Sequence, residues 1–226
     1  MDFQKFIRDQ GFAIIPNVQG RTDVDALLAE LSRTELPRSK AGIRHALKLP
    51  AVARIASSAP LLRIAQDTLG TDAFPFRATL FDKSPTANWL VVWHLDTALP
   101  LRERRDMSGW GPWSIKDGVT YAHAPASALS QVLALRIHLD DSTAENGPLR
   151  VLPGTHTFGV LTDDVLLQLS KEIAAMDCLV ARSGVLAMRP LIVHASSKSR
   201  SETPRRVLHI EYATSRAVDG LELALG

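Results

Sequence analysis

The spacing of apolar residues changes near residue 74. Before it, helical spacing dominates. Residues 2–10 read as a short helix ended by Gly11, and Phe12-Ala13-Ile14-Ile15-Pro16 reads as a short strand. Thr22 or Asp23 is placed to cap a helix over about 24–34, whose apolar residues fall at Val24, Leu27, Leu28 and Leu31. A further helix is predicted over about 59–69, ended by Gly70.

From residue 74 the stretches are short, apolar and strand-like: 74–81, 90–94, 131–139, 148–152, 185–193 and 206–212. Turn signals separate them at Ser84-Pro85, Asn146-Gly147, Pro153-Gly154 and Ser183-Gly184. Many strands with punctuating turns predict a sandwich or barrel. The first 70 or so residues then supply helices that pack on one outer face. No internal repeat and no low-complexity tract interrupts this pattern.

Residues 97–127 depart from it. They hold Pro100, Gly109, Gly111, Pro112, Gly118 and Pro125, with Trp110 and Trp113 among them. A loop of that length inside a compact domain is usually functional, and a lid over a site is the expectation. Exposed tryptophans are costly unless they cover something, so both become tentative substrate contacts. The other reading is a loosely packed surface insertion.

Composition adds boundaries. The 226 residues fit one barrel domain over 1–226, with a helical part to about 72, a barrel over about 73–215 and the lid over 97–127. Lys and Arg number 26 against 24 Asp and Glu, a net charge of +2 that points neither toward nor away from nucleic acid, and none is expected as a partner. The single cysteine, Cys178, permits no intrachain disulfide and suggests a reducing compartment. The N-terminus lacks a basic region followed by an apolar run. The longest apolar stretches fall well short of the ~18 residues of a membrane span. The expectation is a cytoplasmic protein with no membrane partner.

The chemistry centres on Trp93-His94-Leu95-Asp96. Alternating faces in a strand turn His94 and Asp96 the same way, which in a barrel can be inward. One imidazole and one hard oxygen can then bind one metal, although a buried His–Asp hydrogen bond is the more frequent meaning of such a tripeptide. His194, after Leu191-Ile192-Val193, can bring a second imidazole from a distant strand. Together they would form the two-His, one-carboxylate triad of non-haem Fe(II) oxygenases, which leaves positions open on the ion. Arg205 follows at the start of the last strong strand. A 2-oxoglutarate co-substrate needs a fixed cation for its far carboxylate, and Arg offers a planar fork that Lys cannot. Ser196 can donate a hydroxyl to the same group.

These residues resemble the phytanoyl-CoA dioxygenase family of Fe(II)/2-oxoglutarate oxygenases. The resemblance is carried by residues 81–89, 93–96, 146–156, 189–196 and 204–206, within a span of about 74–213. It implies a mainly β, double-stranded β-helix fold (a jelly-roll, cupin-like barrel), iron at His94, Asp96 and His194, and 2-oxoglutarate at Arg205 and Ser196. It further suggests that Thr79 and Arg136 line the co-substrate pocket. Leu95 stands where many members carry Gln, and Arg136 where many carry an aromatic residue. An inward Arg136 could serve an acidic substrate or the co-substrate. Related halogenases replace the carboxylate with a small residue, so Asp96 favours hydroxylation over halogenation.

Arg136, His138 and Asp140 share a strand face by alternation, which makes His138 a tentative substrate contact or a satisfied core histidine. Arg102, Arg104 and Arg105 could attract an anionic substrate or form a solvated surface. The expected activity is hydroxylation of a small organic substrate with O2, releasing succinate and CO2. Two alternatives stay open: a cupin-like metal enzyme without 2-oxoglutarate, and a non-catalytic small-molecule binding protein on the same fold.

Overall fold

Asp2 accepts a hydrogen bond from the Lys5 backbone N–H and opens α1 (Phe3–Gln10); Gly11, at φ 83°, closes it. The structure is a computed structural model and describes residues 2–33, 42–85 and 87–225. After α1 come β1 (Phe12–Ile15), α2 (Arg21–Ser32), β2 (Gly42–Ile43), α3 (Pro50–Ala56) and α4 (Ala59–Leu69). Next are β3 (Phe74–Lys83), β4 (Val91–His94), β5 (Ala98–Leu101), β6 (Trp113–Lys116), β7 (Val119–His123), α5 (Ala126–Leu129), β8 (Val132–His138) and β9 (Leu149–Val151). The chain continues through α6 (Asp163–Glu172), β10 (Met176–Cys178), β11 (Val185–Met188), β12 (His194–Ser196), β13 (Arg205–Ala213), β14 (Ala217–Val218) and β15 (Leu221–Glu222). The last residue of the predicted second helix lies outside the described residues. Among the described residues no helix is long and apolar enough to cross a membrane.

Six strands form a sheet in the order β1-β11-β8-β13-β3-β2, and four form a second in the order β10-β9-β12-β4. Their side chains meet around one interior, which gives the double-stranded β-helix expected from the sequence. Strand alternation decides which residues face it. On β8, Leu133, Leu135 and Ile137 point outward, as do Ala78 and Leu80 of β3 and Leu208, Ile210 and Tyr212 of β13. Val24, Leu27, Leu31, Val52, Ile55, Leu61 and Ile64 of the helices cover that outer face. Every residue of β8 is buried, because one face meets helices and the other the interior. The buried Tyr212 hydroxyl donates to the Ala56 carbonyl at 2.7 Å and ties α3 to β13.

Two predicted elements need correction. The apolar stretch 185–193 is not one strand. β11 ends at Met188, the chain turns through Arg189–Ile192 with the Ile192 N–H on the Arg189 carbonyl, and His194 begins β12 in the other sheet. Pro190 supplies no N–H to continue a ladder, so the crossing falls there. Nor is 97–127 an irregular loop. It holds a three-stranded antiparallel sheet in the order β5-β7-β6, followed by α5. Gly109, Gly111, Pro112 and Gly118 sit between these strands, Pro100 lies within β5 and Pro125 precedes α5.

Candidate metal centre and anion cavity

β12 runs antiparallel to β4 and sets His194 directly opposite His94. The imidazole centroids are 4.1 Å apart. Asp96 lies two residues past His94, just beyond the end of β4, where its N–H bonds the Pro190 carbonyl at 3.0 Å. That bond brings the β4 exit to the β11–β12 turn. The carboxylate oxygens of Asp96 stand 3.7 Å from His94 Nε2 and 3.5 Å from His194 Nε2. In both rings Nδ1 lies 2.9 Å from a backbone carbonyl, that of Val92 for His94 and of Ile192 for His194. A carbonyl can only accept, so Nδ1 carries the proton and the Nε2 lone pair faces Asp96.

This arrangement suits a cation. Two donors of one ion, each about 2.1 Å away, stand no more than about 4.2 Å apart, and both histidine–carboxylate separations meet that limit. Burial, partly offset by Asp96, brings the His194 imidazole down to about 4, so the ring is neutral and its lone pair free. Although burial opposes it, the two histidines hold the Asp96 carboxyl well below its ordinary range. Among the described residues, these three form a group able to hold a metal ion.

The triad lies on the wall of a cavity of about 140 Å³. β3 contributes Arg77, Thr79, Phe81 and Lys83 from one face, β8 contributes Arg136, and β13 contributes Arg205 and His209. Ser196 and His194 complete it from β12. Thr79, Arg136, Ser196 and Arg205 thus line one cavity with the triad. Its cationic end has few counter-charges. Arg205 Nε donates to the Asn146 carbonyl at 3.1 Å. Burial and the neighbouring Arg136 bring that guanidinium down to about 10. Lys83 Nζ donates to Ser196 Oγ at 2.9 Å and to the Ser197 carbonyl at 2.6 Å. Burial, then Arg205 and Arg136, push its ammonium down to about 8. Among the described residues no carboxylate pairs with Lys83, Arg136 or Arg205. Ser196 gives its proton to the Gly147 carbonyl at 3.0 Å, so Lys83 and Arg205 are the donors presented there.

Arg136 Nη1 lies 3.0 Å from His209 Nδ1, and its guanidinium stands over Phe81 at 5.3 Å. Arg77 is ion-paired with the buried Glu211 and donates to the Ala98 carbonyl at 3.0 Å.

Other tentative contacts fall elsewhere. His138 is 1% exposed, has no hydrogen-bond partner for either ring nitrogen among the described residues, and is not in the cavity wall. It shares a face with Arg136 but lies across from Val207, behind the cationic row. Trp110 and Trp113 also leave the site. Trp110 is buried among Phe76, Leu99, Leu101, Leu129 and Leu221, with Trp113 packed against the same cluster. They cover a second hydrophobic core between the small sheet of 98–123 and the barrel. Asp140 binds Arg206 at 2.7 Å rather than facing inward, and Arg102 pairs with Glu222 at the surface. Asn88 exchanges two hydrogen bonds of 2.8 Å with the backbone of Ser199, clasping the β3–β4 connection to the β12–β13 connection.

Two further residues of the cavity wall, Lys83 and His209, carry no motif in the sequence. Lys83 could have been found, since it lies on the Thr79 face by alternation. His209 required the β13–β8 register that sets it against Arg136.

Gly147 holds this end of the cavity in place. It has φ 64°, and an added Cβ would lie 2.3 Å from the Ser197 carbonyl oxygen. Gly147→Ala is expected to destabilise the fold by at least about 1–2 kcal/mol. That corresponds to a Tm lower by roughly 2–8 °C in a chain of this size, read by thermal denaturation. An unchanged Tm would show that the loop relaxes freely.

The sequence model described as Phytanoyl-CoA dioxygenase (PhyH) matches residues 7–207. Ectoine dioxygenase of Stutzerimonas stutzeri (strain A1501) is 25% identical over 169 residues, 68% of this chain and 49% of that protein. L-proline trans-4-hydroxylase of Streptomyces griseoviridis is 25% identical over 138 residues, 50% of this chain and 51% of that protein. The chain spans about half the length of these curated relatives. The crystal structure of AviO1 from Streptomyces viridochromogenes Tue57 superposes with a TM-score of 0.70 at 20% identity, covering 97% of this chain and 96% of that one. EctD from S. alaskensis, solved with 2-oxoglutarate and 5-hydroxyectoine, gives 0.69 at 17% identity, covering 93% and 74%.

Proposed function

Since the chain belongs to the phytanoyl-CoA dioxygenase family, we propose that it is an Fe(II)- and 2-oxoglutarate-dependent oxygenase that hydroxylates a small organic molecule. One observation carries this reading. Two imidazole Nε2 atoms and a carboxylate converge on the wall of a cavity whose far end holds buried cations without counter-charges. Bound iron with 2-oxoglutarate and O2 would supply the oxidising chemistry, with succinate and CO2 as co-products.

The protein's part is placement. His94, Asp96 and His194 would hold the ion, each imidazole locked in one tautomer by a backbone carbonyl. Arg205 and Lys83 would take the far carboxylate of the co-substrate, and Arg136 adds positive charge from β8. Asp96 keeps a carboxylate where a halogenase would need room for a halide. The relatives are named for ectoine and L-proline, which supports a small substrate here.

The test is anaerobic titration of the Fe(II) protein with 2-oxoglutarate. A weak visible charge-transfer band should grow to saturation. A substrate screen read by succinate release should then find compounds that accelerate 2-oxoglutarate consumption. Metal binding without the band would refute the reading and favour a barrel enzyme that uses no oxo acid.

Lys83 adds a pH signature. Its ammonium in the free protein titrates at about 8, so the charge that attracts a dicarboxylate is full below that pH and fades above it. Affinity of the Ni(II)-loaded protein for 2-oxoglutarate should be flat below about pH 8 and fall above it, by at most about tenfold per pH unit. Lys83→Met should bind more weakly at pH 7 and lose that slope in calorimetric titrations. A slope unchanged in the variant would assign it to another group.

A further inference from the structure

Beside the inner cavity lies a second space of about 260 Å³. Arg77, Thr79, Phe81 and Asp96 belong to the walls of both, so the two spaces adjoin at the triad carboxylate. Together they reach the roughly 300–1,000 Å³ usual for ligand sites. The outer space has walls of its own: Leu95, Thr97 and Ala98 after β4, Lys116 and Tyr121 from the 98–123 sheet, and Arg44 after β2.

Among the described residues, one of its cations lacks a counter-charge. Arg77 has Glu211 as its partner, and Arg44 has Asp117 at 3.3 Å. Asp96 belongs to the triad. Lys116 has no carboxylate within ion-pair distance among the described residues. Its ammonium stands 5.2 Å from the centre of the Tyr121 ring, and the Arg77 guanidinium lies 5.7 Å from the centre of that same ring. Two cations therefore flank one aromatic edge of the space, and Lys116 contributes an uncompensated positive charge. Burial and the proximity of Arg44 and Arg77 lower the Lys116 pKa.

We propose that the substrate carries a carboxylate or phosphate that Lys116 holds in this outer space, beside Tyr121 and the Glu211-paired Arg77. The substrate's body would lie along Phe81, Leu95 and Ala98 and reach the triad at Asp96. This rests on the reading above, in which metal and co-substrate fill the inner cavity. Arg205, Lys83 and Arg136 are then occupied and Arg77 is paired with Glu211, so Lys116 remains for the substrate. It also gives the 98–123 sheet a role its tryptophans do not supply: it brings Lys116 and Tyr121 over the reaction chamber.

The test uses Ni(II)-loaded protein saturated with 2-oxoglutarate, with benzoate, phenyl phosphate and benzamide as probes and calorimetry as readout. At least one anion should bind tenfold or more tightly than benzamide, and the better anion identifies the group as carboxylate or phosphate. Lys116→Met should remove that preference and leave 2-oxoglutarate affinity unchanged, while Lys116→Arg should retain it. Lys116 is exposed at the end of a hairpin strand, so both variants are expected to fold. Anion binding no tighter than that of benzamide, none at all, or a preference that survives in Lys116→Met overturns the proposal. Failure of 2-oxoglutarate to bind the metal-loaded protein overturns the oxygenase reading and this inference together, and that saturation step is measured first.

Discussion

His194→Ala is expected to abolish ferrous-ion binding, and with it any 2-oxoglutarate turnover. The buried imidazole sits between β9 and β4, opposite Val151 on one side and His94 on the other, with 2% of its surface exposed. Its Nδ1 proton is committed to the Ile192 carbonyl, so it has one ring atom to give an ion, and that atom lies 3.5 Å from Asp96. Removing an outer partner of a metal ligand costs roughly 10–100-fold in affinity, so losing one of three donors should cost at least about 100-fold. Anaerobic calorimetry with Fe(II), or Co(II) absorbance as a stand-in, reads this directly. His194→Gln keeps most of the volume, which separates loss of the donor from collapse of a buried site. Wild-type affinity in either variant would place the ion elsewhere. A circular dichroism spectrum unchanged from wild type would confirm that the barrel persists.

The His94–Asp96 half of the triad was legible because its signal is short-range, while His194 had to be brought in from a distant strand. His94 and Asp96 are two residues apart at a strand end, and the expected inward face follows from alternation alone. That Asp96 lies past the end of β4 altered its support, a bond to the Pro190 carbonyl, without moving it to the other face. Arg205 and Ser196 were reached in the same way, from strand ends near His194. The same logic failed at 185–193. Residues buried on both sides show no period of two, so an uninterrupted apolar run conceals a crossing from one sheet to the other. Between 97 and 127, glycine and proline dominated the reading although three strands lie there. The bulk of Trp110 and Trp113 predicts burial but does not say in which core. The row of Arg136 against His209 depends on β13 pairing in register with β8, a relation between residues far apart in sequence. Lys116 reaches the chamber only because the 98–123 sheet folds over it, which no local pattern announces.

Arg205→Ala should separate co-substrate binding from metal binding. Arg205 is 5% exposed, its Nε donates to the Asn146 backbone carbonyl, and it faces a cavity where its neighbours are also cations. A buried cation in that state favours an anion strongly, because the ligand relieves repulsion from Arg136 as well as adding its own attraction. Truncating one partner of a buried charged pair costs about 2–5 kcal/mol. At about 1.4 kcal/mol per tenfold, 2-oxoglutarate affinity of the Ni(II) protein should fall roughly 30- to several-thousand-fold. Fe(II) affinity should stay within a few-fold of wild type, since the triad is intact. Arg205→Lys should recover only part of the loss, because an ammonium cannot present the planar fork. Lys83 and Arg136 remain in the variant and set the residual affinity, so Lys83→Met combined with Arg205→Ala should lose more than either alone. Tight 2-oxoglutarate binding in Arg205→Ala would remove Arg205 from the co-substrate site and leave Arg136 or Lys83 to carry it. A parallel loss of metal would instead show that Arg205 supports the barrel wall rather than the ligand.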